Sequence, residues 1–386
     1  MRKLFITVCE LDEISYLPKG AGTKLFGAPL YEHAYRKVKD ASNKLGLEVE
    51  FVRAATFTVR GATNEFNPDF DDIVAVISPL AFLAHARCIE DALNFVVKND
   101  PAYATVGHLR SPFAVFGLGK MVSGAAIGSC QDFIHHISEC GAIYKNVALA
   151  DGEKSVPVSR IEYLKRANAY REEFLDYLVM TGVDIEIRDG IVIAPNTEIR
   201  RGTVLKKGVQ IGEWTRIKEN CEIGPYAIIE ASEICAGASV QNSIIKNSVL
   251  EENVSVGAFS IIDNETRIFS EAVIGNNVEL HDAVIGQGTK IGSGAYIVNS
   301  DIGNKAEIGA GVITVNHSGS RERRCKIGDN AIVACGANLI APVIIGLGAH
   351  VAAGSTITDD VPAGALGVSR AYQINREGYA RKQKKK

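Results

Sequence analysis

Aliphatic residues recur at every sixth position through the second half of the chain, with occasional steps of five. The spacing forms four runs, whose first and last members are Ile193 and Ile229, Leu250 and Leu280, Ile285 and Ile297, and Ile327 and Ile357. A fixed repeat length indicates that equivalent short units stack along one axis. The second half is therefore predicted to be a solenoid.

A small residue commonly follows the aliphatic position, as in IGPYAI, IGNNVEL and IGQGTKI. Glycine at this position lets the backbone turn tightly, so that six residues form one flat face. Three such faces close a triangular coil, and each coil buries the apolar surface of the next at ~25 cal/mol per Å². The pattern predicts an all-β parallel β-helix of the hexapeptide type over residues 183–362.

The first half has a different pattern, in which short apolar strands alternate with amphipathic helices. The predicted strands are LFITVCE, VEFVRAA, DDIVAVIS and AYATVG, and the predicted helices are LYEHAYRKVKDASNKLG and FLAHARCIEDALNFVVKN. This alternation is typical of an α/β domain with a parallel sheet. We place this domain at residues 1–158.

A linker helix is predicted between the two domains, over residues 159–182. Ser159 and Glu162 have the spacing of a capping box at its start, and Gly182 supplies its C-terminal stop. A basic tail, residues 363–386, follows the solenoid and ends in KQKKK. The simplest interpretation of those lysines is solvated charge.

Composition narrows the classes of partner. Hydrophobic residues make up 46% of the chain and the formal net charge is -3, which excludes a broad basic surface for nucleic acid. The sequence contains no run of 18 apolar residues that would predict a membrane span, and its N-terminal apolar segment is too short for a signal peptide. The eight cysteines contain no CxxC pair, which favours reduced thiols, a cytoplasmic location and no cysteine metal site.

The six-residue pattern breaks at GVITVNHSGSRERRCKIG, residues 311–328, where a histidine and three arginines enter. A segment that leaves a regular stack commonly carries function. We therefore predict an extruded loop over residues 309–326. This loop is called the excursion below.

Two stretches around this break carry a family resemblance, NSDIGNKAEIGAGVITVNHSG and NLIAPVIIGLGAHVAAGSTITDDVP. The chain resembles the bifunctional N-acetylglucosamine-1-phosphate uridyltransferase/glucosamine-1-phosphate acetyltransferase family, strongly over about 190–380 and loosely before that. The resemblance implies a nucleotidyltransferase-like (Rossmann-like) domain followed by a left-handed parallel β-helix. It also implies a homotrimer that binds acetyl-CoA or another acyl-CoA between neighbouring stacks, with the excursion crossing to another subunit.

The resemblance implies a cofactor set that is mostly intact. Cys335 stands where the family has serine, and Arg376 stands where it often has lysine. Both arginines of the set would hold phosphate oxygens through charge-assisted bonds. The implied cofactor residues are Ala310, Cys335, Ala353, Arg370 and Arg376.

The residues that the resemblance assigns to acceptor binding differ from the family more than the cofactor residues do. Ser293 replaces the general-base histidine, Asp263 replaces a phosphate-binding arginine, and His281 replaces the neighbouring lysine. Glu307 replaces an asparagine, whereas Tyr296 is retained. Because carboxylates repel a sugar phosphate, the acceptor is expected to be a different small molecule, uncharged or amine-bearing.

Acyl transfer from a thioester needs a base and a group that polarises the carbonyl. Histidine titrates near neutral pH, so His281 and His317 are the candidate bases. Asn316 or a backbone N–H of the excursion would polarise the thioester. An ordinary solvated histidine on a solenoid surface is the alternative for either imidazole.

In the N-terminal half, the resemblance places Lys19 at a phosphate-contacting lysine. Ser78 and Val158 stand where the family has metal-binding carboxylates, so Mg²⁺ is expected only if this domain is active. KGAGTK could form a phosphate loop, but an exposed flexible turn before the helix is the favoured interpretation, because the strand–loop–helix context is wrong. We expect a degenerate nucleotidyltransferase-like domain.

The predicted function is a CoA-dependent acyltransferase, using acetyl-CoA, that acts on an amino or hydroxyl group of a sugar-related or other small metabolite. One alternative is a sugar-1-phosphate nucleotidyltransferase with the β-helix as a trimerisation scaffold. Another is a catalytically inactive homologue that binds ligand or regulates. A fold alone does not decide among these.

Overall fold

A computed structural model describes residues 3–8, 24–25, 28–52, 57–58, 73–77, 86–99, 102–106, 113–117, 126–127, 143–147, 160–316 and 323–375. The chain divides into two compact units. The first comprises Met1–Met180 with Val192–Thr197, and the second comprises Thr181–Ile191 with Glu198–Lys386. Within the described ranges, no helix is both long and apolar enough to cross a membrane.

The described residues of the first unit form three helices, α1 (Leu30–Lys44), α2 (Ala86–Lys98) and α3 (Arg160–Met180). Its described strands, in chain order, are β1 (Lys3–Val8), β2 (Lys24–Leu25), β3 (Ala28–Pro29), β4 (Glu48–Val52), β5 (Phe57–Thr58), β6 (Ile73–Ile77), β7 (Ala102–Val106), β8 (Phe113–Gly117), β9 (Ala126–Ile127), β10 (Ile143–Val147) and the short strand Val192–Ile193. The predicted α/β architecture is confirmed, and both helices predicted before residue 100 are present with slightly shorter bounds.

Six of these strands form one sheet in the order β10-β7-β8-β6-β1-β4. Strand β8 runs antiparallel to both β6 and β7, so the prediction of a fully parallel sheet is wrong at this position. Only residues 107–112 separate β7 from β8. A parallel connection needs a crossover of a dozen or more residues, whereas a link this short joins antiparallel neighbours.

The core of the first unit lies on the central strands. All five residues of β6 and all five of β7 are buried, as expected for strands covered on both faces. Helix α1 adds the stripe Leu30, Ala34, Val38 and Ala41, which recurs at helical spacing. The third helix lies within a residue or two of the predicted linker helix, while its predicted cap Ser159 falls outside the described residues.

Parallel strands of two or three residues build the second unit into a solenoid with three faces. Face A holds Asp184–Ile185, Val204–Leu205, Glu222–Ile223, Ser239–Val240, Ser255–Val256, Val273–Ile274, Lys290–Ile291, Glu307–Ile308, Ile332–Val333, His350–Val351 and Leu366–Gly367. Face B holds Gln210–Ile211, Ile228–Glu230, Ile244–Lys246, Ile261–Asp263, Ile313–Val315, Asn338–Ile340 and Thr356–Ile357. Face C holds Glu198–Ile199, Arg216–Ile217, Glu233–Ile234, Val249–Leu250, Arg267–Ile268, Cys325–Ile327 and Val343–Ile345. Glu279–Ile285 and Tyr296–Ile302 each run from face B into face C.

Each strand pairs in parallel with its equivalent one coil later. Ile223 pairs with Val240, Val240 with Val256, and Val256 with Ile274, and all four side chains are buried. The predicted hexapeptide β-helix is therefore confirmed. Its core is the column of aliphatic side chains that the six-residue spacing identified.

The corners explain why glycine and asparagine are frequent. At the corner between faces C and A, Gly202, Asn220, Gly237 and Asn253 follow one another in successive coils with φ between 57° and 76°. Only glycine enters this left-handed region without cost, and asparagine is the side chain that tolerates it best. The N–H of Asn253 donates to the carbonyl of Ala236 one coil earlier, at 3.0 Å.

The excursion is narrower than the predicted loop 309–326. Ile313–Val315 stays in the face B ladder, paired with Asn338–Ile340, and Cys325–Ile327 stays in the face C ladder, paired with Val343–Ile345. Thr314 and Cys325 point into the core and are buried, which holds both strands in register. The ladder therefore continues up to Val315 and resumes at Cys325, on either side of the corner between faces B and C.

Candidate active site

Face B gathers three of the predicted acceptor residues. Asp263 pairs with His281 in the strand register, and Glu279 on the same strand pairs with Tyr296 one coil later. The intervening Leu280 points into the core and is buried. Since side chains alternate along a strand, the other four project outward from the same face.

Two carboxylates hold the imidazole of His281. Its Nδ1 lies 2.5 Å from Asp263 Oδ1, and its Nε2 lies 3.4 Å from Glu279 Oε2. The ring centroid of Tyr296 is 5.8 Å away, and the His281 side chain is 20% exposed. When Nδ1–H donates to Asp263, Nε2 of the neutral ring carries a lone pair and can receive a proton. The contact between Nε2 and Glu279 becomes a hydrogen bond only once Nε2 is protonated.

Glu279 was missed by the sequence analysis. The resemblance was carried over position by position, and it pointed only to residues with a known family counterpart. The signal available in the sequence was spacing, because Glu279 and His281 are two residues apart on a strand and must share a face.

Three predicted cofactor residues and one residue of the predicted acceptor set, Ser293, form one column at the corner between faces A and B. Ser293, Ala310, Cys335 and Ala353 occupy equivalent positions in successive coils, and all are exposed. The glycine after each of Ala310, Cys335 and Ala353 donates its N–H to the carbonyl of the preceding column member, at 2.9–3.0 Å. The guanidinium of Arg370 donates to the Ala353 carbonyl at 2.9 Å and closes the column.

The chemistry of this column changes at Ser293. Below it, the N–H of Ala258 donates to Asn276 Oδ1 at 2.8 Å, and the N–H of Asn276 donates to Ser293 Oγ at 3.1 Å. In the coils that follow Ser293, the alanine side chains of the column carry no oxygen that could accept a backbone N–H. The N–H groups of Ser293, Ala310 and Cys335 have no hydrogen-bond partner within the part of the chain that the structure describes.

Within one chain, Glu307 does not lie near Asp263, His281 and Tyr296. It lies on face A, where it pairs with Lys290 and Ile332, and the corner column separates it from His281. His317, Lys19 and Arg376, together with the substituted metal positions Ser78 and Val158, lie outside the described residues.

Side chains from the coils below fasten the base of the excursion. Arg324 donates from Nε to Asp301 Oδ1 at 2.9 Å, and its Nη1 lies 3.1 Å from Asp282 Oδ2. Asn316 donates from Nδ2 to the Arg323 carbonyl at 2.9 Å, across the opening of the loop. The sequence alone does not distinguish Arg324 from the other two arginines, because the ion pairs that set it apart join residues distant in sequence.

The two cysteines that flank this region differ in environment. Cys325 is buried, and desolvation raises the pKa of its thiol to about 11. The side chain of Cys335, in the corner column, is exposed. Because the thiolate is the reactive form, the buried thiol is the less reactive of the two at neutral pH.

Residues 225–319 match the model of the family described as GlmU-like, C-terminal hexapeptide. The chain is 40% identical over 155 residues to a bifunctional protein GlmU from Geobacillus sp. (strain WCH70), a match that covers 40% of this chain and 34% of the relative. It is 36% identical over 158 residues to the bifunctional protein GlmU of Clostridium kluyveri (strain ATCC 8527 / DSM 555 / NBRC 12016 / NCIMB 10680 / K1), covering 41% and 35%. The predicted resemblance is thus confirmed for the β-helix, and the chain spans about a third of the length of these curated relatives.

Solved structures resemble the chain at lower identity. LpxA from Acinetobacter baumannii is 21% identical with a TM-score of 0.33, covering 50% of this chain and 78% of LpxA. A GDP-perosamine N-acetyl transferase variant from Caulobacter crescentus, solved with CoA and GDP-perosamine, is 16% identical with a TM-score of 0.14, covering 61% and 87%.

Proposed function

We propose that this chain is a CoA-dependent acyltransferase, using acetyl-CoA, that acylates an amino or hydroxyl group of a small sugar-related metabolite. One observation carries the proposal: His281 is held between two carboxylates on a face that borders a column of small exposed residues ending in an arginine. The match of residues 225–319 to the GlmU-like family supports it.

The corner column fits the carrier. An acyl-CoA supplies an activated thioester, and its pantetheine arm carries amide carbonyls that need hydrogen-bond donors. The N–H groups of Ser293, Ala310 and Cys335 belong to exposed residues spaced one coil apart, about 4.8 Å, and are the donors we assign to those carbonyls. Arg370 donates to Ala353 through one nitrogen, so its remaining N–H groups can hold phosphate oxygens. Arg376 follows as a second cation.

His281 acts as the general base. Asp263 accepts the Nδ1–H and keeps the ring in one tautomer and one orientation. Nε2 then takes the proton that the attacking nitrogen or oxygen releases, and returns it to the sulfur that leaves. A positioned base of this kind contributes about 10²–10⁴-fold to the rate.

Glu279 favours an amine over a hydroxyl acceptor. Its carboxylate lies 3.4 Å from Nε2, so an incoming ammonium can contact both groups from the solvent side. A carboxylate attracts an ammonium and steers it towards the base. The ammonium first loses one proton to solvent, and the neutral amine then attacks the thioester and releases its second proton to Nε2. Tyr296, which pairs with Glu279 in the register, lines the same place with an aromatic ring.

Asn316 holds the excursion in place. Its Nδ2 is engaged with the Arg323 carbonyl, which favours a backbone N–H of the excursion for polarising the thioester carbonyl. We further propose a homotrimer in which the excursion, which contains His317, reaches a neighbouring subunit. Ser293 serves as part of the column and not as the base.

The N-terminal unit is proposed to be a degenerate nucleotidyltransferase-like domain over residues 1–158, joined by the helix to the β-helix. Lys19 would contact a nucleotide phosphate if one binds. Mg²⁺ enters only if that domain turns over nucleotides, and the proposed acyl transfer does not require it.

Titration calorimetry with acetyl-CoA, followed by a mass-spectrometric screen of amino sugars and amino acids as acceptors, tests the proposal. We expect saturable CoA binding and one acceptor that gains an acetyl group. Arg370→Ala should weaken CoA binding about tenfold, since it removes a charge-assisted contact. A protein that binds no CoA, or that binds it and acylates none of these acceptors, contradicts the proposal.

A further inference from the structure

An open groove of about 720 Å³ follows the corner between faces B and C, on coils that precede the excursion. Trp214, Ala231, Asn247 and Asn264 line it along the corner, and Arg216 and Arg267 line it on face C. The Trp214 indole is 71% exposed. None of these residues belongs to the proposed acyl-transfer site, so the groove is a second feature of the stack.

The size of one corner residue explains the recess. Ala231 donates its N–H to the Glu213 carbonyl at 2.9 Å, which places it one coil above the turn that carries Trp214. The next corner position is Asn247, whose N–H donates to the Glu230 carbonyl at 3.1 Å. The methyl of Ala231 therefore leaves space between the indole and the amide of Asn247.

The groove contains polar groups without protein partners. Across residues 160–316 and 323–375, the side chains of Arg216, Asn247 and Asn264 make no hydrogen bond or ion pair with any other described residue. Arg267, in contrast, donates from Nη2 to Glu251 Oε1 at 2.7 Å. Two carboxylates also line the groove, Glu233 and Glu265. Glu233 lies 2.8 Å from Lys218 Nζ, and Glu265 also interacts within the chain. The groove therefore offers the guanidinium of Arg216 and two carboxamides beside an exposed aromatic ring, and its carboxylates are already engaged.

This combination fits a carbohydrate. A flat indole packs against the C–H face of a sugar ring, and carboxamides pair with hydroxyls as both donors and acceptors. A guanidinium matches the geometry of a carboxylate or phosphate. The groove crosses several coils about 4.8 Å apart, a repeat comparable to one sugar unit in a linear chain. A nucleobase would need a second aromatic or apolar wall, which the corner lacks among the described residues.

We propose that this groove binds an acidic oligosaccharide, with a ring stacked on Trp214 and its acid group on Arg216. The inference is independent of the proposed acyl transfer. Either one can fail without affecting the other, because the two sets of residues do not overlap.

Trp214 is the only tryptophan of the chain, so its fluorescence reports on the groove without a label. The intact protein is titrated with trigalacturonate, neutral cellotriose, inorganic phosphate and UMP. We expect a saturable change in emission with trigalacturonate, weaker binding of cellotriose, and no saturation with phosphate or UMP. Arg216→Ala should weaken trigalacturonate about tenfold and leave cellotriose unchanged.

Trp214→Asn, followed by calorimetry, should abolish saccharide binding, since asparagine keeps the left-handed turn but removes the ring. Phe259→Asn is the matched control, because Phe259 is also exposed and left-handed but lies at a different corner. Failure of both trisaccharides to saturate overturns the proposal. Saturation by UMP alone also overturns it. A change in sedimented mass on Trp214→Asn would instead identify the groove as a contact between copies, which is incompatible with the proposal.

Discussion

At the scale of single residues, the proposed chemistry rests on His281. Replacing it with alanine removes Nε2, so we expect kcat to fall about 10²–10⁴-fold while CoA affinity stays within error. Acetyl transfer is measured by mass spectrometry and CoA binding by calorimetry. His350→Ala is the matched control, an exposed histidine on face A. Equal losses in both variants would remove His281 from the mechanism.

Thiol labelling tests the corner column. Burial raises the pKa of Cys325 to about 11, so at pH 8 almost none of it is the reactive thiolate, and its labelling should rise only as the pH approaches that value. Cys335 is exposed and should react with iodoacetamide first. Saturating CoA should slow the labelling of Cys335 and leave Cys325 unchanged, as followed by peptide mapping. Labelling of Cys335 that is indifferent to CoA would place the carrier elsewhere.

Position in a repeat determines which of the predicted site residues lie together, and their roles stay predictions. Ala310, Cys335 and Ala353 were assigned together, and the coils do stack them in one column. Glu307 failed to join His281 because a residue on the far side of a corner faces away, which a linear comparison does not register. The partnership of Asp263 with His281 was also missed, since each was considered only as a replacement for a family residue.

At the scale of elements, the excursion depends on Arg324. Arg324→Ala would leave Asp282 and Asp301 without their cation, and we expect faster hydrogen exchange over residues 316–324 with reduced acyl transfer. The stack itself should melt at nearly the same temperature. Arg323→Ala is the control, because only the backbone carbonyl of Arg323 has a role at the base. Unchanged exchange in Arg324→Ala would show that the excursion is held by other contacts.

The corners give an element-level test of stability. Gly237 and Gly294 share a φ of 72°, but a Cβ on Gly237 would lie 2.4 Å from Asn253 Oδ1, whereas a Cβ on Gly294 meets nothing within 4 Å. We expect Gly294→Ala to lower the free energy of unfolding by about 1–2 kcal/mol from the left-handed backbone alone. Gly237→Ala should cost more, because Asn253 must also move. Chemical denaturation measures both, and equal losses would show that Asn253 yields freely.

The repeat was predictable from spacing because the aliphatic side chains that set it are the core. The antiparallel strand Phe113–Gly117 was not, since its apolar run has no period that distinguishes direction, and direction follows from the length of the preceding connection. The excursion was predicted too wide for a related reason. Thr314 interrupts the aliphatic pattern and Ile327 resumes it, but Ile313–Val315 and Cys325–Ile327 both keep the ladder in space.

At the scale of the whole molecule, the proposed trimer predicts complementation. Sedimentation should give about three times the chain mass of 41.4 kDa. Chains carrying His281→Ala are mixed with chains lacking residues 317–322 under refolding conditions. If the excursion serves a neighbour, each variant alone is nearly inactive, and random mixing in a cyclic trimer restores about a quarter of the sites. A mixture as inactive as its parts would confine the excursion to its own chain.

The corner column also acts as a molecular ruler. Because every coil advances the stack by the same increment of about 4.8 Å, each column donor lies one step farther along the axis from His281 than the donor before it. Inserting or deleting one complete coil between them would lengthen or shorten that interval by one step without disturbing the register of either end. Adding or removing coils would therefore adapt such an enzyme to a longer or a shorter acyl carrier.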